Sequence, residues 1–246
     1  MIDLHCHILP GMDDGAADTE ESLGMASLAA EQGVAAICAT PHLLPGEQMR
    51  PQTFFSVRDE RLQQLQAALQ RREIAVTLHP GAEVYVNDDI FYAGDLRPAA
   101  LGGSRFLLVE FGTGMLPAAR LRQYLEEIRN RGLTPVIAHA ERYRFFQRNE
   151  DLLYEISEEG TLIQVNADSV AGYAETAECR LAYRLVREGV AHLLATDAHG
   201  IRHRIPAMAT LIRRFPPGIS TDTIRYLTET APQAMLKNKW PPPRIF

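Results

Sequence analysis

Cysteine is scarce in this sequence: three residues in 246, Cys6, Cys38 and Cys179, scattered and odd in number. That excludes a disulfide framework and a structural zinc site built from thiolates, and leaves the three as small buried hydrophobes. Long apolar runs are missing too. No stretch of eighteen apolar residues occurs, and the amino terminus lacks a basic segment followed by an apolar one. Neither a membrane span nor a secretion signal is therefore expected, and the expected location is the cytoplasm. A surplus of positive charge is also absent: the formal net charge is −6. Nucleic-acid affinity comes from neutralising phosphates with Lys and Arg, so nucleic acid is not an expected partner. Low-complexity segments and internal repeats beyond a strand–helix unit are likewise absent.

What is there is a chain 46% hydrophobic, long enough to bury a large core as one domain over 1–246. Short β-rich apolar runs alternate with longer helical patterns from end to end. Strands are predicted at about 2–6, 34–39, 74–78, 106–110, 134–138, 162–166 and 192–196. Between them, Leu62, Leu65 and Leu69, and then Leu121, Leu125 and Ile128, recur at helical spacing and mark buried faces. Asp18 is the expected N-cap of the first helix, with Glu21 three residues on, and Gly33 marks its end. Seven such units predict an α/β fold with a closed or nearly closed parallel barrel. The Pro- and Gly-bearing loop at 43–53 reads as a lid or a connector. The Pro-rich tail at 237–246 cannot continue a helix through three prolines, so it reads as an extended arm or a loose end.

In parallel barrels chemistry gathers at the carboxyl ends of the strands. The first strand ends in His5 and His7, two apart and so on one face, with Asp13 and Asp14 just behind. The second is followed by "CATPH" with His42, the third by "HPGAE" with Glu83, and the fourth ends "LLVEF" with Glu110. The fifth ends "PVIAHAER" with His139 and Arg142, and the seventh "LLATDAH" with Asp197 and His199. Buried groups such as Glu110 and His139 would cost several kcal/mol unless something compensates them. Counting Asp14 but not Asp13, nine imidazole and carboxylate groups on one rim exceed the needs of one ion and point to a cluster of two or three cations. Without thiolate, such a set suits manganese, iron or zinc.

"MIDLHCHILPGMDDG", "ATPH", "GAEVY", "LLVEF", "TPVIAHAERY", "QVNADS" and "TDAH" follow one another in order from Met1 to His199, within a resemblance that runs to about Leu236. Together they resemble the bacterial manganese-dependent protein tyrosine phosphatases of the PHP (polymerase and histidinol phosphatase) superfamily, the type associated with capsular and exopolysaccharide synthesis. The resemblance implies a distorted (β/α)7 TIM-like barrel holding three divalent metals at the C-terminal ends of its strands. It implies that the first metal takes His5, His7, Glu83 and Asp197, the second Glu83, Glu110 and His139, and the third Asp14, His42 and His199. It also implies that Arg142 and Arg204 hold the phosphate, a task suited to the planar guanidinium fork.

The chemistry this implies is hydrolysis of protein phosphotyrosine by a hydroxide held between two metals, with the tyrosine-rich tail of a bacterial tyrosine kinase as partner. A cysteine mechanism is not expected, because such phosphatases carry an arginine six positions after the nucleophile. Here those positions are Met12, Leu44 and Leu185. Two alternatives remain: a small-molecule phosphatase, such as one for histidinol phosphate, on the same metals, and a non-catalytic scaffold that uses metals to hold its fold. A shallow rim lined by Phe91, Tyr92 and Met115 would admit a protein tail. A deep pocket with a carboxylate for an amino group would suit histidinol phosphate. His79 and His203 lie near motif residues without matching a ligand position, and His192, at the start of its strand, reads as structural.

Overall fold

The computed structural model describes residues 1–44, 51–172 and 175–243. Among them nine short strands run in parallel: β1 (Ile2–Cys6), β2 (Ala36–Ala39), β3 (His42–Leu43), β4 (Thr77–Pro80), β5 (Glu83–Tyr85), β6 (Phe106–Glu110), β7 (Thr134–Ile137), β8 (Leu162–Asn166) and β9 (Leu193–Ala195). They form two sheets, ordered β1-β2-β4 and β3-β5-β6-β7-β8-β9. β2 and β4 pair with each other, and so do their continuations β3 and β5. The barrel thus has seven staves, two of them interrupted: the first at Thr40–Pro41, the second at Gly81–Ala82. A parallel bridge between Cys6 and Ala198, with His7 N donating to Ala198 O (2.9 Å) and Asp197 N to His5 O (2.9 Å), ties the last stave to the first. The result is a distorted (β/α)7 barrel.

The strands at 2–6, 106–110 and 162–166 have the expected bounds, whereas the third begins three residues later than the apolar run suggests. The reason lies at the end of the preceding helix, α2 (Pro51–Arg71). Glu73 adopts a left-handed backbone (φ 56°), and Ile74 N returns to Leu69 O (3.0 Å). Ile74 thereby finishes the helix terminus instead of opening the strand. β3 and β5 are too short to show periodicity, yet their register sets His42 beside Glu83.

Helix α1 (Thr19–Glu31) starts where expected, with the Asp18 carboxylate accepting from Glu21 N (2.9 Å), and ends before Gly33 (φ 78°). Leu65 and Leu69 on α2, and Leu121, Leu125 and Ile128 on α3 (Ala118–Asn130), are buried against the outside of the sheet, and Leu62 is partly so. A smaller cluster fills the barrel interior: Leu4, Cys38, Phe106, Leu108, Val136, Ala138, Leu162 and Leu193 among its members. Met235, on the short helix Ala231–Leu236, closes its base. Successive side chains on a strand alternate faces, so the residues above this cluster on the same face point inward too. On β6 that residue is Glu110, on β8 they are Gln164 and Asn166, and beyond β9 it is Asp197.

Residues 237–243 fold back on the base of the barrel. Asn238 Oδ1 accepts from Arg105 N (3.0 Å), and Pro242 O accepts from the Tyr226 hydroxyl (3.0 Å). Residues 45–50 of the proposed lid or connector, and 244–246 of the tail, lie outside the described residues. Among the described residues, no helix is long and apolar enough to cross a membrane.

Candidate metal centre

Four buried atoms face one another at the top of the barrel: His5 Nε2, His7 Nε2, Glu83 Oε2 and Asp197 Oδ1. The two imidazole nitrogens are 3.2 Å apart. His5 lies 3.2 Å from Glu83 and 3.3 Å from Asp197, and His7 lies 3.3 and 3.5 Å from the same two oxygens. The other nitrogen of each ring is already committed. His5 Nδ1 is 3.0 Å from Gln164 Oε1, and His7 Nδ1 is 2.7 Å from Asp13 Oδ2. With Nδ1 committed in both rings, Nε2 is the nitrogen each imidazole has left for the centre, and once its proton is given up it sets a lone pair beside two carboxylate oxygens.

Such a group needs a cation at its centre. Donors about 2.0–2.2 Å from one ion stand roughly 3.0–3.5 Å apart, which is the spacing of the two imidazole nitrogens from each other and from each carboxylate oxygen. Glu83 Oε2 and Asp197 Oδ1 are, moreover, buried without a hydrogen-bond partner, as are His42 Nδ1 and His139 Nδ1. The residues fit a divalent metal.

The remaining ligand-type side chains adjoin this group. His139 Nε2 is 2.9 Å from Glu83 Oε1 and 4.0 Å from Glu110 Oε2. His42 Nδ1 is 2.9 Å from Glu110 Oε1 and 3.2 Å from Glu83 Oε2, so His42 adjoins the second set as well as the third. Asp14 Oδ1 lies 3.5 Å from both His42 Nε2 and His199 Nε2. The His7 and His199 rings lie tilted by 30° with centroids 3.9 Å apart. All nine expected ligand residues therefore converge on one rim. Glu83 is 1% exposed and Asp14 68%, so the cluster runs from the barrel interior out to solvent.

Two left-handed residues aim it: His139 (φ 33°) and Asp197 (φ 52°). Each costs about 1–3 kcal/mol outside glycine and persists because the surroundings fix it. Both expected arginines reach Asp197 Oδ2: Arg142 Nη1 at 2.9 Å, and Arg204 Nη2 in a shorter pair. Arg204 Nη1 also donates to His199 Nε2 (3.0 Å).

Charge is strongly redistributed here. Burial pushes the Glu83 and Asp197 carboxyls up, but nearby His5 and the other imidazoles outweigh it and hold both well below the usual carboxylate range. Burial pushes His5 and His7 down, yet the facing carboxylates, with Asp13 foremost for His7, raise both, His7 strongly. Asp13, also buried, is held at about 2 by its bond to His7. His199 is lowered to about 4 by burial and by its neighbours His7 and Arg204, so its ring is neutral at neutral pH.

Comparison with known proteins decides the family. Residues 1–237 match the family described as capsular polysaccharide synthesis, CpsB/CapC. The chain belongs to the CpsB/CapC family. It is 33% identical over 244 residues to tyrosine-protein phosphatase YwqE of Bacillus subtilis, covering 97% of this chain and 92% of that protein. It is 32% identical over 221 residues to tyrosine-protein phosphatase CpsB of Streptococcus pneumoniae, covering 85% and 86%. Among solved structures, one described under YwqE and CpsB as unique metal-dependent tyrosine phosphatases matches with TM-score 0.83 and 32% identity over all of both chains. A histidinol phosphate phosphatase from Lactococcus lactis matches with TM-score 0.51 and 17% identity over 87% of this chain and 92% of that one, a likeness of fold alone.

Other residues of this CpsB/CapC chain fall as follows. Asp13, Gln164 and Asn166 had no assigned role, although they stand inside two of the quoted motifs. Their signal was position, one or two residues from a ligand or on the inward face of a strand. His79 lies within β4 and His203 is exposed, both outside the groups capable of holding a metal among the described residues. His192 supports β9 by accepting from Ile163 N at Nδ1 (3.2 Å). Tyr92 and Met115 are exposed, but Phe91 turns inward against Tyr124 (5.7 Å) beneath the Arg120 guanidinium (5.1 Å). All three cysteines are buried and unbridged.

Proposed function

We propose that this chain is a metal-dependent protein tyrosine phosphatase acting on a phosphotyrosine protein. The observation that carries the reading is the convergence of two imidazole nitrogens and two buried carboxylate oxygens that have no hydrogen-bond partner, flanked by two guanidinium groups. The family and its tyrosine-phosphatase relatives support the same conclusion. Three divalent ions, manganese in preference to iron or zinc, would be held by His5, His7, Glu83 and Asp197, by Glu83, Glu110 and His139, and by Asp14, His42 and His199. Bound there, they would supply charge neutralisation for the phosphoryl group and activation of water. Arg142 and Arg204 turn from Asp197 Oδ2 to the phosphoryl oxygens and hold the group in line. Tyrosinate leaves with a conjugate-acid pKa of about 10, so little help from a general acid is required.

The surroundings favour a protein substrate over an amino alcohol phosphate. A cavity of about 120 Å³ adjoins the centre at His42, lined otherwise by Gly11, Met12, Leu43, Leu44, Phe54, Val57 and Arg61. Among the described residues that line it there is no carboxylate for an ammonium group, and Arg61 has the wrong sign. A partner kinase whose tyrosine-rich tail docks across the exposed Asp14 side fits this reading. The test is phosphate release from a phosphotyrosine peptide and from histidinol phosphate in parallel. Preference for the peptide supports the proposal; preference for histidinol phosphate overturns the substrate, and turnover of neither overturns the activity.

A further inference from the structure

β8 is the one stave among the described residues that sends no candidate ligand to the centre, yet its inward face carries two amides where an apolar residue would fill space more simply. Gln164 and Asn166 are both fully buried. A buried amide needs partners for its oxygen and its NH2, and which end points where follows from those partners. Here both ends of the chain are pinned. At one end His139 N, a backbone donor, lies 2.7 Å from Gln164, which places the amide oxygen there. The Gln164 NH2 then donates to Asn166 Oδ1 (2.7 Å), and the Asn166 NH2 donates to Asp197 Oδ2 (2.9 Å), a carboxylate that can only accept.

The polarity of every bond is therefore forced. Gln164 Oε1 also faces His5 Nδ1 at 3.0 Å, so His5 must donate from Nδ1, which leaves Nε2 as the nitrogen that can take a metal. The same oxygen holds the His139 N–H and with it the left-handed backbone from which His139 Nε2 reaches Glu83. At the far end, Asn166 joins Arg142 and Arg204 on Asp197 Oδ2, while Oδ1 is left without a hydrogen-bond partner.

We infer that Gln164 and Asn166 are positioning residues of the metal centre, one hydrogen-bonded relay that fixes the His5 tautomer, the His139 backbone and the free oxygen of Asp197 at once. The inference rests on the metal reading above but not on the substrate. Second-layer hydrogen bonds of this kind orient ligands, and their loss costs about 10- to 100-fold in metal affinity.

The test uses the full chain stripped of metal, with manganese and zinc dissociation constants measured by competition against a chromogenic chelator. Gln164→Leu is expected to bind about 10- to 100-fold more weakly. Its metal-free melting temperature should fall as in the control below, because His139 N and Asn166 Oδ1 lose a buried partner, so affinity is measured well below the unfolding transition. In zinc-loaded wild type the His5 Nδ1–H proton is expected as an exchange-protected NMR resonance, which Gln164→Leu abolishes. Gln66→Leu is the control: Gln66 also bridges backbone groups, Val76 O and Leu78 N, but away from the centre. It should lower stability and leave affinity unchanged.

Wild-type affinity in Gln164→Leu, or an equal loss in Gln66→Leu, overturns the inference. Gln164→Met carries the same test if the leucine variant does not fold. No phosphate ester enters these measurements, so a wild type that binds metal yet spares phosphotyrosine contradicts the proposed function and leaves the relay standing.

Discussion

Glu83 concentrates the demands of the centre on one carboxylate: Oε2 lies 3.2–3.3 Å from His5, His7 and His42, and Oε1 lies 2.9 Å from His139. Replacing one oxygen by NH2 points hydrogens at lone pairs. Glu83→Gln should therefore lose bound metal, counted by elemental analysis, and at least about a hundredfold in turnover. Arg142 answers differently because its side chain touches the cluster through Asp197 Oδ2 and through no other ligand residue among the described residues. Arg142→Ala should keep its metal and lower kcat/KM on a phosphotyrosine peptide by about 10²- to 10³-fold, the usual cost of a missing charge-stabilising donor. Loss of metal with activity would assign Arg142 to metal retention instead. Cys38 is the residue to change without consequence for chemistry. Burial pushes its thiol up to about 12, and Sγ donates to Pro80 O at 3.3 Å. Cys38→Ser should turn over within about threefold of wild type, and a folded but inactive variant would contradict a mechanism free of cysteine.

At the scale of elements, the loop between β1 and α1 carries Asp13 and Asp14 and depends on one close approach. A Cβ on Gly15 would stand 2.1 Å from His7 O and 2.5 Å from His7 Cβ. Gly15→Ala must push this loop off β1, so metal content and activity should both fall while the far side of the barrel keeps its fold by circular dichroism. Asp18→Ala removes the α1 cap and should cost about 1 kcal/mol in denaturant unfolding without changing kcat. That cap was legible because Asp18, Glu21 and Gly33 are local signals read from a few residues. The third strand was not legible at its true place, since Ile74 is as apolar as a strand residue and only its bond back to Leu69 shows that it serves the helix end. β3 and β5 were invisible for another reason: strands of two and three residues carry no period. The rim residues His42 and Glu83 were readable even so, because each follows an apolar run in a parallel barrel. Gln164 and Asn166 were not, since their role depends on partners from β1, β7 and the end of β9 that only the closed barrel brings together.

For the whole molecule, the barrel places four carboxylates, Asp14, Glu83, Glu110 and Asp197, around one rim, and their mutual repulsion is relieved in full only when cations lie between them. Folding and metal binding are thereby linked. Saturation at about a hundred times the dissociation constant stabilises by about 2.7 kcal/mol, which for a chain of this size raises the melting temperature by roughly 5–10 °C. A scanning calorimetry trace unmoved by manganese would contradict that linkage. The linkage and the activity meet in a single experiment, a manganese titration of chelator-stripped protein against a phosphotyrosine peptide with phosphate release as the readout. The account predicts no release without metal and recovery as the equivalents rise; release undiminished in chelator would contradict it.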